Sequence, residues 1–238
     1  MTTPPRPVVV ITGATGNLGT AVAHAFQLAG AHTVLVDRAT DRLRRQFPDL
    51  AESADHLLLD NVDLADETAA TRVMAAAVER FGCLDVLVNT IGAWRGGRPT
   101  HETPLTDWDF LFEANVRPTL LASRAAVPHF LARHRGCIIN IAARSALAAT
   151  AGSAAYSAAK SAVLRLTEAM SAELKQEGIN VNALLPAIID TPQNRTAMPG
   201  GDPAKWVQPD ALAEIVLFLA SASARPIHGA AIPVYGLG

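Results

Sequence analysis

A run of β-branched residues, Val8–Thr12, opens directly into three glycines spaced by three, Gly13, Gly16 and Gly19. An alanine-rich stretch with helical periodicity follows from about Asn17. Few folds accommodate that order. Glycines permit a tight turn, close approach of backbone to a ligand and close packing of helix on strand. A helix N-terminus brought to the end of a strand favours negative charge. A glycine cluster alone says little, but between a first strand and a first helix it reads as a cradle for the pyrophosphate of a dinucleotide. The candidate contacts are Gly13, Thr15, Gly16, Asn17, Leu18 and Gly19, although the 3-and-3 spacing departs from the commoner G-x-G-x-x-G.

The rest of the chain repeats the same rhythm. Strand-like runs fall at Val8–Thr12, Thr33–Val36, His56–Leu59, Val86–Asn89, Cys137–Ile141, Asn180–Leu185 and Ala231–Val234. Helical candidates lie between them near 17–29, 66–81, 107–133, 153–177 and 209–221. Several strands are apolar without alternation, the pattern of strands buried on both faces. The alternation predicts an α/β fold, a doubly wound seven-stranded parallel sheet with helices on both faces. There is no repeat and no convincing linker, so residues 1–238 are expected to form a single domain. Loops 92–106 and 190–208 are long and begin at strand carboxyl ends, where such folds bind ligands.

Composition narrows the function. Half of the 238 residues are hydrophobic, 18% are charged and the net charge is −2. That is ample material for a core and no electrostatic footprint for nucleic acid or an anionic membrane. No apolar run approaches the length of a membrane span, and the polar start lacks a signal-peptide core. Cys83 and Cys137 are expected to be reduced thiols, and the seven histidines show no metal-ligand spacing. A cytoplasmic protein acting on a small molecule, without a metal, is the expectation.

Two further features carry chemistry. Asp37 ends the second strand about 20 residues beyond the glycines, where a carboxylate accepts both ribose hydroxyls of an adenosine and repels a 2′-phosphate. NAD(H) is therefore favoured, with NADP(H) left possible by the neighbouring Arg38, whose guanidinium is able to pair with that phosphate. Tyr156 and Lys160 stand at i and i+4 and project from one helix face. An ammonium beside a phenol favours the phenolate and makes the tyrosine a workable acid near neutral pH.

In order along the chain these residues, with Asp63-Leu64, Asn89-Thr-Ile-Gly92, Asn115 and Pro186-Ala-Ile-Ile-Asp-Thr191, resemble the short-chain dehydrogenase/reductase family over nearly the whole length. The resemblance implies a Rossmann fold and a catalytic group of Tyr156, Lys160 and Asn115. It further implies that Asp63 and Leu64 flank the adenine, that Asn89 braces the sheet and the adenosine side, and that Gly92 belongs to the cofactor site. Lys160 would hold the nicotinamide ribose, Ile189 and Thr191 the carboxamide, and Asn115 a water that feeds protons to Lys160. Asn115 as a polar filler or a bend is the alternative. Family members pair their long helices into dimers and tetramers, which implies a homotetramer or homodimer.

One position departs from the family pattern. Thirteen residues before the tyrosine, where the mainstream branch has a serine that donates to the substrate carbonyl, stands Ala143. A contact of that kind is typically worth about 3–4 kcal/mol. Ser145 is the nearest hydroxyl, able to substitute if the loop bends or to serve as a turn residue. The missing serine, the glycine spacing and the loops around Trp94, Arg195 and Trp206 resemble the dihydropteridine reductase branch, while Asn89 and Asn115 belong to the mainstream pattern and residues 164–182 and 228–236 resemble bacterial 3-oxoacyl-carrier-protein reductases. Trp94 and Trp206 read equally as an aromatic wall or as loop anchors, and Arg195 as a substrate contact or a tether. The predicted activity is hydride transfer between nicotinamide and a carbonyl or a conjugated imine or quinonoid substrate such as a dihydropterin or quinone. Its alternative is an NAD(H)-binding redox sensor or scaffold with little turnover.

Overall fold

The computed structural model describes residues 6–237. Seven strands form one parallel sheet: β1 (Val8–Thr12), β2 (His32–Val36), β3 (His56–Leu59), β4 (Val86–Asn89), β5 (Gly136–Ile141), β6 (Ile179–Pro186) and β7 (Ala231–Val234). Their order is β3-β2-β1-β4-β5-β6-β7, so the chain reverses direction across the sheet between β1 and β4. At such a switch point the strand ends splay and leave a crevice. β1, β4, β5 and β6 are buried along their whole length, whereas edge strands β3 and β7 are only partly covered. That accounts for the unbroken apolar runs of the central strands.

The helices are α1 (Asn17–Leu28), α2 (Arg42–Gln46), α3 (Glu67–Phe81), α4 (Leu105–Asn115), α5 (Arg117–Leu131), α6 (Ala154–Leu174), α7 (Pro192–Ala197) and α8 (Pro209–Ala220). On one face α1, α2 and α8 pack Val22, Phe26, Leu43, Leu212 and Val216 against Ile11, Val88 and Ile139. On the other, α3, α5 and α6 pack Met74, Phe130 and Leu174 against Val10, Leu87 and Ile138. α3 begins cleanly because the Asp66 carboxylate accepts from the Ala69 N–H at 2.7 Å, an N-cap worth about 1 kcal/mol. It ends at Gly82 in the left-handed region, φ 80°.

One predicted helix is two. The segment read as a single helix over 107–133 breaks after Asn115, and α5 starts at Arg117 with Pro118 in its first turn. Pro118 has no N–H to give Ala114, so the ladder is interrupted there. Thr119 Oγ1 instead donates to the Asn115 carbonyl at 3.0 Å. The short helices α2 and α7 were not predicted; at five and six residues they are below the length at which periodicity is readable. No helix among the described residues is long and apolar enough to cross a membrane.

Candidate active site

The glycine loop is built as its spacing requires. Gly13 sits at φ +63°, and a Cβ on it would fall 3.0 Å from Ile91. A Cβ on Gly19 would collide with the Gly13 carbonyl, so α1 packs here against bare backbone. Gly16 caps α1 with no side-chain hydrogen bond, leaving the first helical N–H groups directed out of the turn. These are the features a pyrophosphate needs, and the loop fits one. Leu18 is buried under the helix, whereas Asn17 lies at the rim.

Asp37 anchors the glycine loop. Its Oδ2 accepts from the Thr15 N–H at 3.2 Å and the Thr15 hydroxyl at 2.5 Å, and its Oδ1 from the Ala39 N–H at 3.0 Å. The carboxylate at the end of β2 thus bolts the glycine loop in place. Arg42 Nη2 donates to the Thr15 carbonyl at 3.3 Å, and Arg38 is exposed beside it. Farther along this side, the Val62 N–H donates to the Asp37 carbonyl at 3.0 Å. Asp63 closes a local turn onto the Ala65 N–H, and Leu64 is buried. A groove of about 610 Å³ runs from Asp63 along α3 to Ala76, at the sheet edge and away from the residues described next.

At the other end of the crevice, three elements converge beneath Gly92. A Cβ on Gly92 would lie 2.9 Å from Asn115 Oδ1 and 3.1 Å from Lys160 Nζ. Asn115 is fully buried; its amide donates to the Ala93 and Leu111 carbonyls, and its oxygen accepts from the Ala93 N–H. Lys160 is buried on α6 and donates to the Ile141 carbonyl at 2.9 Å. Tyr156 lies one turn earlier on the same helix, partly buried against Leu111, Ala155 and Ala159. Asn89 does brace the sheet: its amide donates to Asn140 Oδ1 on β5 and to the Ser123 hydroxyl on α5. Asn140 in turn donates to Thr167 on α6.

The titration of the pair differs from the sequence expectation. Burial pushes the Tyr156 phenol up to about 12 and the Lys160 ammonium down to about 8. Both charged forms lose hydration, and that cost outweighs the attraction expected to lower the phenol. The Lys160 ammonium is directed at the Ile141 carbonyl, a contact the sequence did not reveal.

The segment leaving β6 is clasped from three sides. Arg195 grips Asp190 in two parallel hydrogen bonds of 2.6 and 2.7 Å, and Gln208 adds a third at 2.9 Å. Arg195 is a tether. Thr191 Oγ1 caps α7 by accepting from the Asn194 N–H, and Asn194 donates back to the Ile189 carbonyl. The Ile189 N–H has no hydrogen-bond partner among the described residues. Gln193 on α7 accepts from the Asn17 side chain at 2.9 Å, bridging this segment to the start of α1. That bridge carried no sequence signal, because both residues are exposed amides on distant segments.

Ala143 ends up buried where β5 gives way to a single 3₁₀ turn, Arg144–Ala146. The Ser145 hydroxyl in that turn is buried and has no hydrogen-bond partner among the described residues. Trp206 lines a cavity of about 240 Å³ with Arg144 and Tyr235, while Trp94 stands 63% exposed on the other loop. The two tryptophans do not line that cavity together.

The chain is similar in sequence and fold to proteins of known kind. The model of the short chain dehydrogenase family matches residues 7–200. The chain is 33% identical to 2-(R)-hydroxypropyl-CoM dehydrogenase of Xanthobacter autotrophicus, over 96% of this chain and 97% of that one. It is 34% identical to meso-2,3-butanediol dehydrogenase of Serratia marcescens, over 96% and 93%. Its fold superimposes on ElxO with NADP bound at a TM-score of 0.90, with 26% identity and 98% of each chain covered. It superimposes on the 3-ketoacyl-(acyl-carrier-protein) reductase of Brucella melitensis complexed with NADH at 0.86, with 30% identity and 97% of each covered. The chain belongs to the short-chain dehydrogenase/reductase family and is an NAD(P)-dependent oxidoreductase.

Proposed function

We propose that the protein interconverts a secondary alcohol and its ketone with NAD(H), Tyr156 exchanging the proton with the substrate oxygen. The observation that carries this is the convergence of Lys160 Nζ and Asn115 Oδ1 under Gly92, one helical turn from Tyr156. A cofactor binder without turnover needs no such buried ammonium and amide brought under one glycine. The nicotinamide, when bound, supplies or accepts the hydride. Lys160 holds the adjacent ribose hydroxyls and Asn115 a water behind them, so that a proton lost from Tyr156 is replaced. The unpartnered Ile189 N–H and Thr191 hold the carboxamide. Asp63 and Leu64 flank the adenine, and loops 92–106 and 190–208 enclose the substrate.

The relatives named above are alcohol dehydrogenases and a ketoacyl reductase by name, which supports the carbonyl end of the predicted range over a dihydropterin or quinone. Asp37 supports NAD over NADP, because its carboxylate lies buried at the end of β2. Exposed Leu105, Trp108 and Leu120 on α4 and α5 support assembly of copies through these helices.

A screen of ketones, quinones and dihydropterins with NADH and NADPH in parallel tests the reading, alongside Ala143→Ser. Turnover of ketones with NADH, raised by the serine, is the expected result. Turnover confined to quinonoid substrates and indifferent to the serine would replace the substrate class. Sedimentation at micromolar concentration is expected to show a dimer or tetramer.

A further inference from the structure

One cavity that the mechanism does not use borders the segments leaving β5 and β6. It is a half-open cleft of about 240 Å³, lying where the C-terminal tail crosses them. At ~30 Å³ per water that is room for about eight non-hydrogen atoms. Its lining includes Ala187 and Ile188, immediately before Ile189, and Arg144, immediately after Ala143. The cavity is therefore continuous in sequence with both segments that frame the reacting atoms.

Its remaining walls are aromatic and cationic. Trp206 and Tyr235 contribute flat faces, and Lys205 stands at the edge with Asp202. Trp206 is fixed by close packing on Gly201, and the tail is fixed by the Leu237 N–H donating to the Lys205 carbonyl at 3.0 Å. The charges do not cancel. Lys205 has Asp202 at 3.7 Å, but Arg144 has no carboxylate within 4 Å among the described residues. The Arg144 guanidinium instead lies 5.6 Å from the centroid of the Tyr235 ring, a cation–π placement that fixes its direction without neutralising it. A planar fork held this way at a small, largely apolar cavity suits a carboxylate.

We propose that this cavity receives the far end of the substrate and selects an oxo or hydroxy acid whose carboxylate pairs with Arg144. The proposal rests on the alcohol–ketone reading above. It makes Arg144 a specificity residue: the charge pair acts on ground state and transition state alike, so its removal appears in KM.

The test compares 4-oxocyclohexanecarboxylate with its methyl ester, using NADH and the full chain, for the unaltered protein and Arg144→Met. Methionine keeps the apolar stem and removes the charge. The acid is expected to have a kcat/KM at least tenfold above the ester. Arg144→Met is expected to lower that value about 10- to 100-fold through KM and to leave the ester within twofold. Equal use of acid and ester by the unaltered protein, or equal losses for both in the variant, would overturn the proposal. If neither compound turns over, the alcohol–ketone reading fails on these substrates and the cavity is judged by calorimetric titration with benzoate. Benzoate binding that Arg144→Met abolishes supports the cavity's anion preference; binding unchanged by the variant, or none, refutes it.

Discussion

The Lys160 ammonium donates a 2.9 Å hydrogen bond to the main-chain carbonyl of Ile141, nineteen residues earlier and at the end of β5. The contact fixes α6 to the strand that delivers Ala143, so acid and substrate wall move as one piece. It also holds Nζ at depth, beneath the surface where Tyr156 emerges. The Asn89–Asn140–Thr167 chain ties the same helix to β4 and β5 from below.

Tyr156→Phe removes the only phenol on this face of α6 and nothing else from the packing. Turnover is expected to fall at least about 100-fold, the range of a lost general acid, with NADH affinity within about threefold. Steady-state kinetics and fluorescence titration check this; retained turnover would place the proton elsewhere.

Burial of Lys160 has a thermodynamic signature. Its pKa drops from 10.5 to about 8 in the folded protein, so between those values the unfolded chain binds more protons. Folding stability contributed by this group therefore rises with pH from about 8 to about 10.5 and is lowest below 8. The full shift corresponds to about 3 kcal/mol. Urea unfolding of the unaltered protein and Lys160→Met should show a stability difference favouring the methionine variant at pH 7, shrinking as pH approaches 10. A difference independent of pH would mean that the ammonium is well solvated.

Gly92 must stay bare. A methyl group there falls 2.9 Å from Asn115 Oδ1 and 3.1 Å from Lys160 Nζ, and displacing either by a fraction of an ångström misaligns the pair. Gly92→Ala is expected to lower kcat about 10- to 100-fold. Gly200→Ala, where a Cβ meets nothing within 4 Å, is the matched control and should be silent.

The Arg195 fork holds the Asp190 carboxyl down at about 2, against an ordinary 3.8. A depressed carboxylate contributes its stability above the unfolded value and loses it as pH falls toward the folded one. The 190–208 segment should thus loosen between about pH 4 and pH 2. Trp206 emission, read in a background with Trp94→Phe and Trp108→Phe, follows the event. Arg195→Met should move its midpoint up toward 3.8; an unmoved midpoint would show that Gln208 alone sustains the clasp.

The sheet was legible because its central strands are apolar on both faces, and the glycine loop because only bare backbone fits between Gly13 and Gly19. Spacing and family pattern together singled out Tyr156, Lys160 and Asn115, and the fold brings all three to one end of the crevice. The helix break at Asn115 was missed even though Pro118 marks it, because proline in a first turn is as compatible with a helix start as with an interruption. The direction of the Tyr156 shift was missed for another reason. Spacing reports that two groups are neighbours, whereas the sign depends on how much water the surrounding Leu111 and Ala159 exclude. Side-chain-to-backbone contacts such as Lys160 to Ile141 leave no trace in residue type.

Asp37 joins two properties that engineers usually treat as separable. On the NAD(H) reading proposed above, the carboxylate that turns away a 2′-phosphate is also the acceptor that anchors Thr15. A substitution that welcomes the phosphate removes the Thr15 anchor in the same stroke. Changing the currency in which this protein exchanges electrons therefore calls for a second mutation that restores the loop, and a lineage making that change would pass through a slackened intermediate.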